Sequence, residues 1–436
     1  MTVSIKSVWN KDFICAALAN MMLCLGHFAS HPYIASYAKY LGAGLTLAGF
    51  LTGMFYGVAL AMRPVSGPMI TRLDKRKLML GVFGLGAAAN LGYALFPSVP
   101  MFILFRFLNG AQYSFVGSLI LTRIGDSLPS DKMASGMGIY GVSGSIGMAI
   151  APAVGGWLRD YGVSKYGELG GYRLLFLYSM TIMLLALIPC AISSPDAPRR
   201  VGIDKAGLQP GRAARDSGHH SGNSRKWYKD ICAVEALPVA VVMLFLIMAY
   251  SVFSAYIVEF VKERGIGGLD AYVTGALTDD GSGAAGAFFA VQAAALIIFR
   301  PLMGGLSDKY GTRIALPSIA LFAAGFFIVG TARALPMLLI GAVVSAAGYG
   351  AAQPMVQAMS MRIVPRERRG VSSNTLYIGM DLGFFLGPLF GGMTAKYGGG
   401  YGATFYFAAV PAILGAAAFI AALPGYKKLA GKFDEF

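Results

Sequence analysis

Four polar side chains, Asn20, Cys24, His27 and His31, interrupt an otherwise apolar run at spacings of 4, 3 and 4. On a helix that spacing puts them on one face. Imidazole titrates near neutral pH, so His27 and His31 can carry a proton or contact a ligand. An ordinary polar contact between helices accounts for each about as well, and a two-His metal site lacks a third ligand. A second set, Arg106, Asn109 and Tyr113, shares a broad helical face. Arginine stays charged at any working pH, so Arg106 requires an anionic partner or an anionic substrate. Tyr349, Gln353 and Gln357 recur at spacings of four, and Gln292 and Glu259 lie in neighbouring apolar runs. Glu259 reads slightly better as an interfacial charge. Asp381 is the one acid expected deep in an apolar run, on a face with Asn374 and Tyr377. Ionisable groups there are functional candidates because burying them costs several kcal/mol. Asp381 can serve as a proton-coupling group, with His27 or His31, or as a structural hydrogen bond between helices. No Ser-His-Asp set, metal cluster or phosphate-binding loop stands out, so an enzyme, a metal centre and ATP as energy source are not expected.

The elements that position these residues follow from composition. The 436 residues are 56% hydrophobic and 13% charged, with mean hydropathy +0.61. Soluble proteins carry about 25% charged residues. Apolar stretches long enough to cross a hydrocarbon core about 30 Å thick recur along the chain. Six lie near 12–37, 44–70, 78–96, 100–122, 134–158 and 172–193. Six more lie near 232–260, 284–307, 313–332, 336–360, 371–395 and 402–424. They predict an all-α membrane protein of twelve spans, since the period-2 pattern of a membrane barrel is absent. Spans 6 and 12 read as lipid-facing support. The first span follows Lys6 and Lys11 but is too long for a signal peptide, and no cleavage site is evident. Cys15, Cys24, Cys190 and Cys232 have no metal or disulfide spacing and read as packing residues.

The formal charge of +15 is concentrated on one side of the twelve spans. Arg72, Lys75, Arg76 and Lys77 follow span 2; Lys309 and Arg313 follow span 8; Arg362, Arg366, Arg368 and Arg369 follow span 10. The positive-inside rule then puts both termini in the cytoplasm of a cell with the protein in its inner membrane. Charge spread over many loops argues against a nucleic-acid partner. Membrane lipid, a small-molecule substrate and the proton are the expected partners, and the chain is expected to act as a monomer.

The sequence also repeats. RPVSG from Arg63 matches RPLMG from Arg300, 237 residues on. GMAIAPAVGG from Gly147 matches GFFLGPLFGG from Gly383, and PSDKMA from Pro129 matches PRERRG from Pro365, both at 236. Three matches at nearly one offset indicate a duplicated six-span unit. The boundaries read as 1–194 and 229–436, with a Pro-, Gly-, Ser- and Arg-rich linker at 195–228 holding His219 and His220. The pair Tyr33-Ile34 and Tyr256-Ile257 is offset by 223, which predicts about 14 extra residues between spans 7 and 8, in Gly267–Gly283 with Asp270, Asp279 and Asp280.

These segments resemble signatures of the major facilitator superfamily. Gly304-Gly-Leu-Ser-Asp308-Lys-Tyr-Gly311-Thr-Arg313 is similar to its loop motif G-x-x-x-D-R/K-x-G-x-R. In the first half Gly67 and Arg72 match, but Thr71 stands in place of the acid. The resemblance implies that Asp308 and Arg313 latch helices in one conformational state. Span 5, with Gly147, Ala151, Pro152, Gly155 and Gly156, resembles the family's antiporter motif, although Gly383, Gly387, Pro388 and Gly391 repeat the pattern in span 11. Arg106-Phe-Leu-Asn109-Gly110 resembles the fourth-helix motif. The resemblance fits the drug and metabolite exporter branch best. It implies that spans 1, 4, 7 and 10 line a central cavity with Asn20, His27, His31, Arg106, Asn109, Tyr113, Gln292, Tyr349, Gln353 and Gln357. The function it implies is proton-driven efflux of an anionic or zwitterionic organic compound, without cofactor. Competing expectations are a proton-coupled importer of an organic anion or sugar, and a sensory or lipid-handling protein on the same fold.

Overall fold

The computed structural model describes residues 8–195, 231–267 and 282–430. The linker residues with His219 and His220, and the insertion residues Asp270, Asp279 and Asp280, lie outside them. Every regular element among the described residues is helical. In lipid no water satisfies an open backbone, so helices that bond internally are the stable solution. The first half comprises α1 (Lys11–Ser30), α2 (Ile34–Tyr40), α3 (Leu45–Arg72), α4 (Lys75–Leu95), α5 (Val99–Ser127), α6 (Met133–Leu185) and α7 (Leu187–Ile192). The second comprises α8 (Leu237–Arg264), α9 (Ser282–Tyr310), α10 (Ala315–Thr331), α11 (Leu335–Arg362), α12 (Arg369–Gly398) and α13 (Tyr401–Ala430).

The described chain crosses twelve times. α1 and α2 form one span around the Pro32 step, and α6 turns back at Gly167, whose φ of 74° lies in the left-handed region that glycine adopts at no steric cost. α6 therefore supplies span 5 and, with α7, span 6. The remaining helices supply one span each. Local signals start the helices where the sequence puts its turns. Asn10 caps α1 by accepting from the Phe13 amide at 2.9 Å, and Asp74 caps α4 by accepting from Lys77 at 2.8 Å. Prolines occupy the first turns of α5, α8 and α11, where their missing N–H is no loss. Outward-facing Phe107, Ile188, Phe327, Ile340, Ile413 and Ile420 are each about half exposed, between 45% and 55%. An apolar surface of that extent belongs against lipid.

The halves repeat each other in packing as well as in sequence. Span 1 packs on span 5 and span 7 on span 11. Both crossings run over small residues. A Cβ on Gly147 would meet Cys24 at 2.6 Å, and one on Gly155 would meet the Ala29 carbonyl at 2.3 Å. In the second half a Cβ on Gly383 would meet the Leu244 carbonyl at 2.6 Å, and one on Gly387 would meet Met248 at 2.4 Å. Gly156 lies against Tyr33, Pro152 sits inside span 5, and the Pro388 carbonyl in span 11 accepts from Tyr256 at 2.6 Å. The Gly-Pro run thus has the same structural duty in both halves, close approach of two helices. The halves meet along two equivalent seams, span 2 against span 11 and span 5 against span 8.

Gly155→Ala is expected to lower the thermal midpoint of the purified protein, by overpacking worth about 1–3 kcal/mol. Gly81→Ala, where a Cβ meets nothing within 4 Å, is the matched control and should be neutral or slightly stabilising; equal midpoints would remove the close-approach argument.

Candidate functional site

The centre of the molecule holds the two arginines of the repeated Arg-Pro steps. Arg63 comes from span 2 and is fully buried. Its Nε donates to the Asp381 carboxylate of span 11 at 2.9 Å. Nη1 donates to the Ser114 carbonyl at 2.6 Å and to Ser118 Oγ at 3.4 Å, and the guanidinium lies 4.9 Å from the Tyr377 ring centroid. Asp381 is 3% exposed, so the pair is a desolvated ionic tie between the halves. Asn374, one turn-pair before it, donates to the Arg63 carbonyl at 2.8 Å and accepts from Ser66 at 2.9 Å. The expected neighbours of Asp381 were His27 or His31; the structure gives it Arg63 instead. Arg63 carried a sequence signal, a charge inside an apolar run, but its repeat match marked it only as a landmark of the duplication.

Arg300 of span 8 reaches into span 5. It donates to the Gly141 carbonyl, to Ser145 Oγ at 2.8 Å, and to Gln353 Oε1 at 2.7 Å. Gln353 is thereby bound to an arginine of its own half. Tyr349 is 3% exposed and stacked on Tyr250, with centroids 4.3 Å apart. Gln292 and Gln357 are 2% and 4% exposed. Glu259 is half exposed and lies 4.0 Å from Lys262, an interfacial position.

His27, His31, Arg106 and Asn109 converge as their spacing suggested, but inside the first half. With Asn90 and Gln112 they line a cavity of about 10 Å³, room for roughly one water. The Nε2 atoms of both histidines and of Gln112 are buried there without a partner. Arg106 does not need a carboxylate. Its Nε donates to the Leu51 carbonyl at 3.0 Å and Nη2 to the Thr52 carbonyl at 3.2 Å, with the Phe55 ring 4.8 Å away. Backbone carbonyls of span 2 contact the charge, where an anionic partner or an anionic substrate was expected. Tyr113 stacks with His27 at 5.5 Å and packs at a tilt against Phe55, with centroids 4.7 Å apart. Asn20 is turned away from this group and donates to Ser143 of span 5 at 3.0 Å, a helix-packing contact.

At the terminal end, where span 1 begins and span 12 finishes, polar contacts tie the halves. Asp308 accepts from the Ala134 amide at 2.9 Å and the Ser135 amide at 2.8 Å. A carboxylate from the second half thus caps the first turn of span 5, where the helix dipole favours negative charge. Gly304 makes the approach possible, since a Cβ there would meet the Ala134 carbonyl at 2.9 Å. The cation beside Asp308 is Arg362, at 3.4 Å, which also donates to the Ser130 carbonyl at 2.7 Å. Arg313 is exposed, which revises the expected pairing. On the equivalent seam Thr71 donates, among the described residues, to the Gly67 carbonyl within its own helix, and Gly67 lies against Asn374. There a cleft of about 570 Å³ remains, lined by Thr71, Arg72, Asp126 and Arg366. Arg369 donates across it to the Gly125 carbonyl at 2.6 Å and pairs with Asp126 at 3.5 Å. Among the described residues, the inter-half hydrogen bonds lie level with Arg63 and Arg300 or on the terminal side of them, and the Tyr56–Phe384 stack at 6.0 Å comes next beyond.

Two six-span bundles, joined by seams and tied around a buried ionic centre, define a polytopic membrane protein built from a duplicated unit. The family profile described as Major Facilitator Superfamily matches residues 16–279 and 275–435, and the chain belongs to that family. Multidrug resistance protein 2 of Bacillus subtilis (strain 168) is 22% identical over 179 residues, 41% of this chain and 42% of that one. The first curated relatives are thus matched over only 27% and 42% of their own length. The outward-conformation structure of the major facilitator FucP has a TM-score of 0.70 at 13% identity, covering 95% of this chain and 98% of that one. The human organic anion transporter MFSD10 has a TM-score of 0.67 at 15% identity, covering 94% and 99%.

Replacing Asp308 with Asn removes a charge-assisted cap worth about 1–2 kcal/mol, on the order of tenfold in a conformational equilibrium. Spin labels at Asp131 and Lys309, both exposed, should report a larger population separated at the terminal end. An unchanged distance distribution would show that Asp308 is no latch.

Proposed function

We propose that the protein is a secondary transporter that exports a small organic anion or zwitterion in exchange for protons, by rocking its two halves about the central seams. The observation that carries this reading is the Arg63–Asp381 pair. Among the described residues, the charged partner of this buried acid belongs to the opposite half. Breaking a buried ion pair by neutralising one member costs about 3–5 kcal/mol, enough to redistribute two conformations by more than a hundredfold. Proton binding to Asp381 therefore has a built-in mechanical consequence, loss of the tie between spans 2 and 11. No cofactor enters the cycle; the proton gradient supplies the energy.

With the termini in the cytoplasm of an inner membrane, the tied end is the cytoplasmic one, and the structure represents the outward-facing arm of the cycle. The likeness to the outward conformation of FucP agrees with that assignment. Resemblance to a multidrug resistance protein supports export, and resemblance in fold to an organic anion transporter supports the anionic class. The two bundles, 1–194 and 229–436, act as the moving bodies of a monomer, and 195–228 links them.

Asp381→Asn should abolish accumulation driven by a pH gradient in proteoliposomes while the protein still folds and still exchanges substrate down its own gradient. Asp381→Glu should retain part of the driven rate. Uphill transport by the Asn variant at the wild-type rate would remove Asp381 from the coupling mechanism. Movement of substrate inward along an imposed proton gradient would replace export by import.

A further inference from the structure

Arg63 and Arg300 occupy equivalent positions in the duplicated halves, and what answers their charge differs. Each opens an Arg-Pro step, in spans 2 and 8. Each reaches across a seam to the other half, Arg63 to Asp381 and Arg300 to Ser145. Asp381 and Ser145 are themselves equivalent, each standing two residues before the glycine of the repeated run, Gly383 and Gly147. Where the second half supplies a carboxylate, the first supplies a hydroxyl.

The remaining contacts of Arg300 are neutral as well, the Gly141 carbonyl and Gln353 Oε1. No ion pair to Arg300 occurs among the described residues, and its Nε is buried with no partner. A guanidinium at this depth without a counter-charge is costly, by several kcal/mol on most measures. Arg106 shows how this chain otherwise handles such a cost, with two carbonyls and a ring face inside one half. Arg300 is placed differently, on a seam, and retains 8% exposure where Arg63 has none. The stacked rings of Tyr250 and Tyr349, the latter one turn from Gln353 on the same helix, offer an aromatic wall for an organic body.

We propose that Arg300, with Ser145 and Gln353, binds the carboxylate of the transported compound, which completes on this seam the ion pair that Asp381 completes on the other. The inference rests on the organic-anion reading above and names its site. A guanidinium offers a carboxylate two parallel N–H donors, so Nε and an Nη can both engage once the substrate arrives. The bound carboxylate then ties span 8 to span 5 as Asp381 ties span 11 to span 2. Occupancy and protonation act on opposite seams of one interface.

The test uses the purified full-length protein in detergent, with benzoate and glutarate as probes and benzamide and glutaramide as uncharged counterparts, read as the shift in thermal midpoint. At least one carboxylate should raise the wild-type midpoint, and its amide should not. Ser145→Asp places an internal carboxylate beside Arg300. It should raise the midpoint without ligand and abolish the response to added carboxylate. Arg300→Gln should also lose the response, and Ser145→Asp carries the test if that variant does not fold. A carboxylate response that survives in Ser145→Asp would overturn the Arg300 site and leave the organic-anion reading standing. No response of wild type to either carboxylate would overturn both. A Ser145→Asp midpoint no higher than wild type would show that Arg300 lacks no counter-charge, and would equally overturn the proposal.

Discussion

A charge held in the middle of a membrane must be answered at once, because neither water nor distance can dilute it. Arg63 is answered by one carboxylate, and that carboxylate belongs to the other half of the chain. The surrounding groups follow from this demand. Ser114 and Ser118 of span 4 take one terminal nitrogen, Tyr377 offers its ring, and Asn374 fixes the backbone of the Arg63 turn. A second half that moved away would strip the arginine of its counter-ion. At this depth the halves are tied by an ion pair as well as by the apolar core they share.

The architecture was legible in the sequence because its signals are collective. Twelve apolar runs and three repeated segments at one offset suffice for two six-span bundles, and Gly304 with Asp308 marked a latch. The histidine cluster was legible too, since i, i+4 spacing on one helix is fixed by helix geometry. Pairings across helices were not. Arg106 has the same side chain as Arg63, yet carbonyls answer one and an acid the other. That difference depends on which helix crosses nearby, and no single-helix pattern records it. Arg313 failed as the latch cation for the same reason: Arg362, far along the chain, lies closer to Asp308 once span 10 is packed. Asn20 shared a helical stripe with the histidines but met span 5, because the stripe is wider than one neighbour.

The duplication then becomes informative through its failures. Span 2 ends in Thr71 where span 8 has Asp308, and the first seam is left with a cleft at the terminal end. Span 5 has Ser145 where span 11 has Asp381, and the second seam is left with an arginine whose contacts among the described residues are neutral. The two losses are complementary. Each seam keeps one of the two acids that a symmetric molecule would have had, and each keeps it at a different depth.

That arrangement bears on how the proposed exchange would avoid leaking. If both seams were tied by acids at the same depth, one proton could not release the interface, and two would have to bind together. With ties at different depths, the proposed exchange would release the seam of spans 2 and 11 by neutralising Asp381. The seam of spans 5 and 8 yields when the Asp308 cap leaves the first turn of span 5. The helix N-terminus that Asp308 caps carries only a partial charge, about half an elementary unit, so that tie is the weaker and more easily reversed. The Arg63–Asp381 tie is a full ion pair in a dry site and is the harder to break. In the proposed exchange the shallow tie opens readily, and the deep one requires a proton or an equivalent charge.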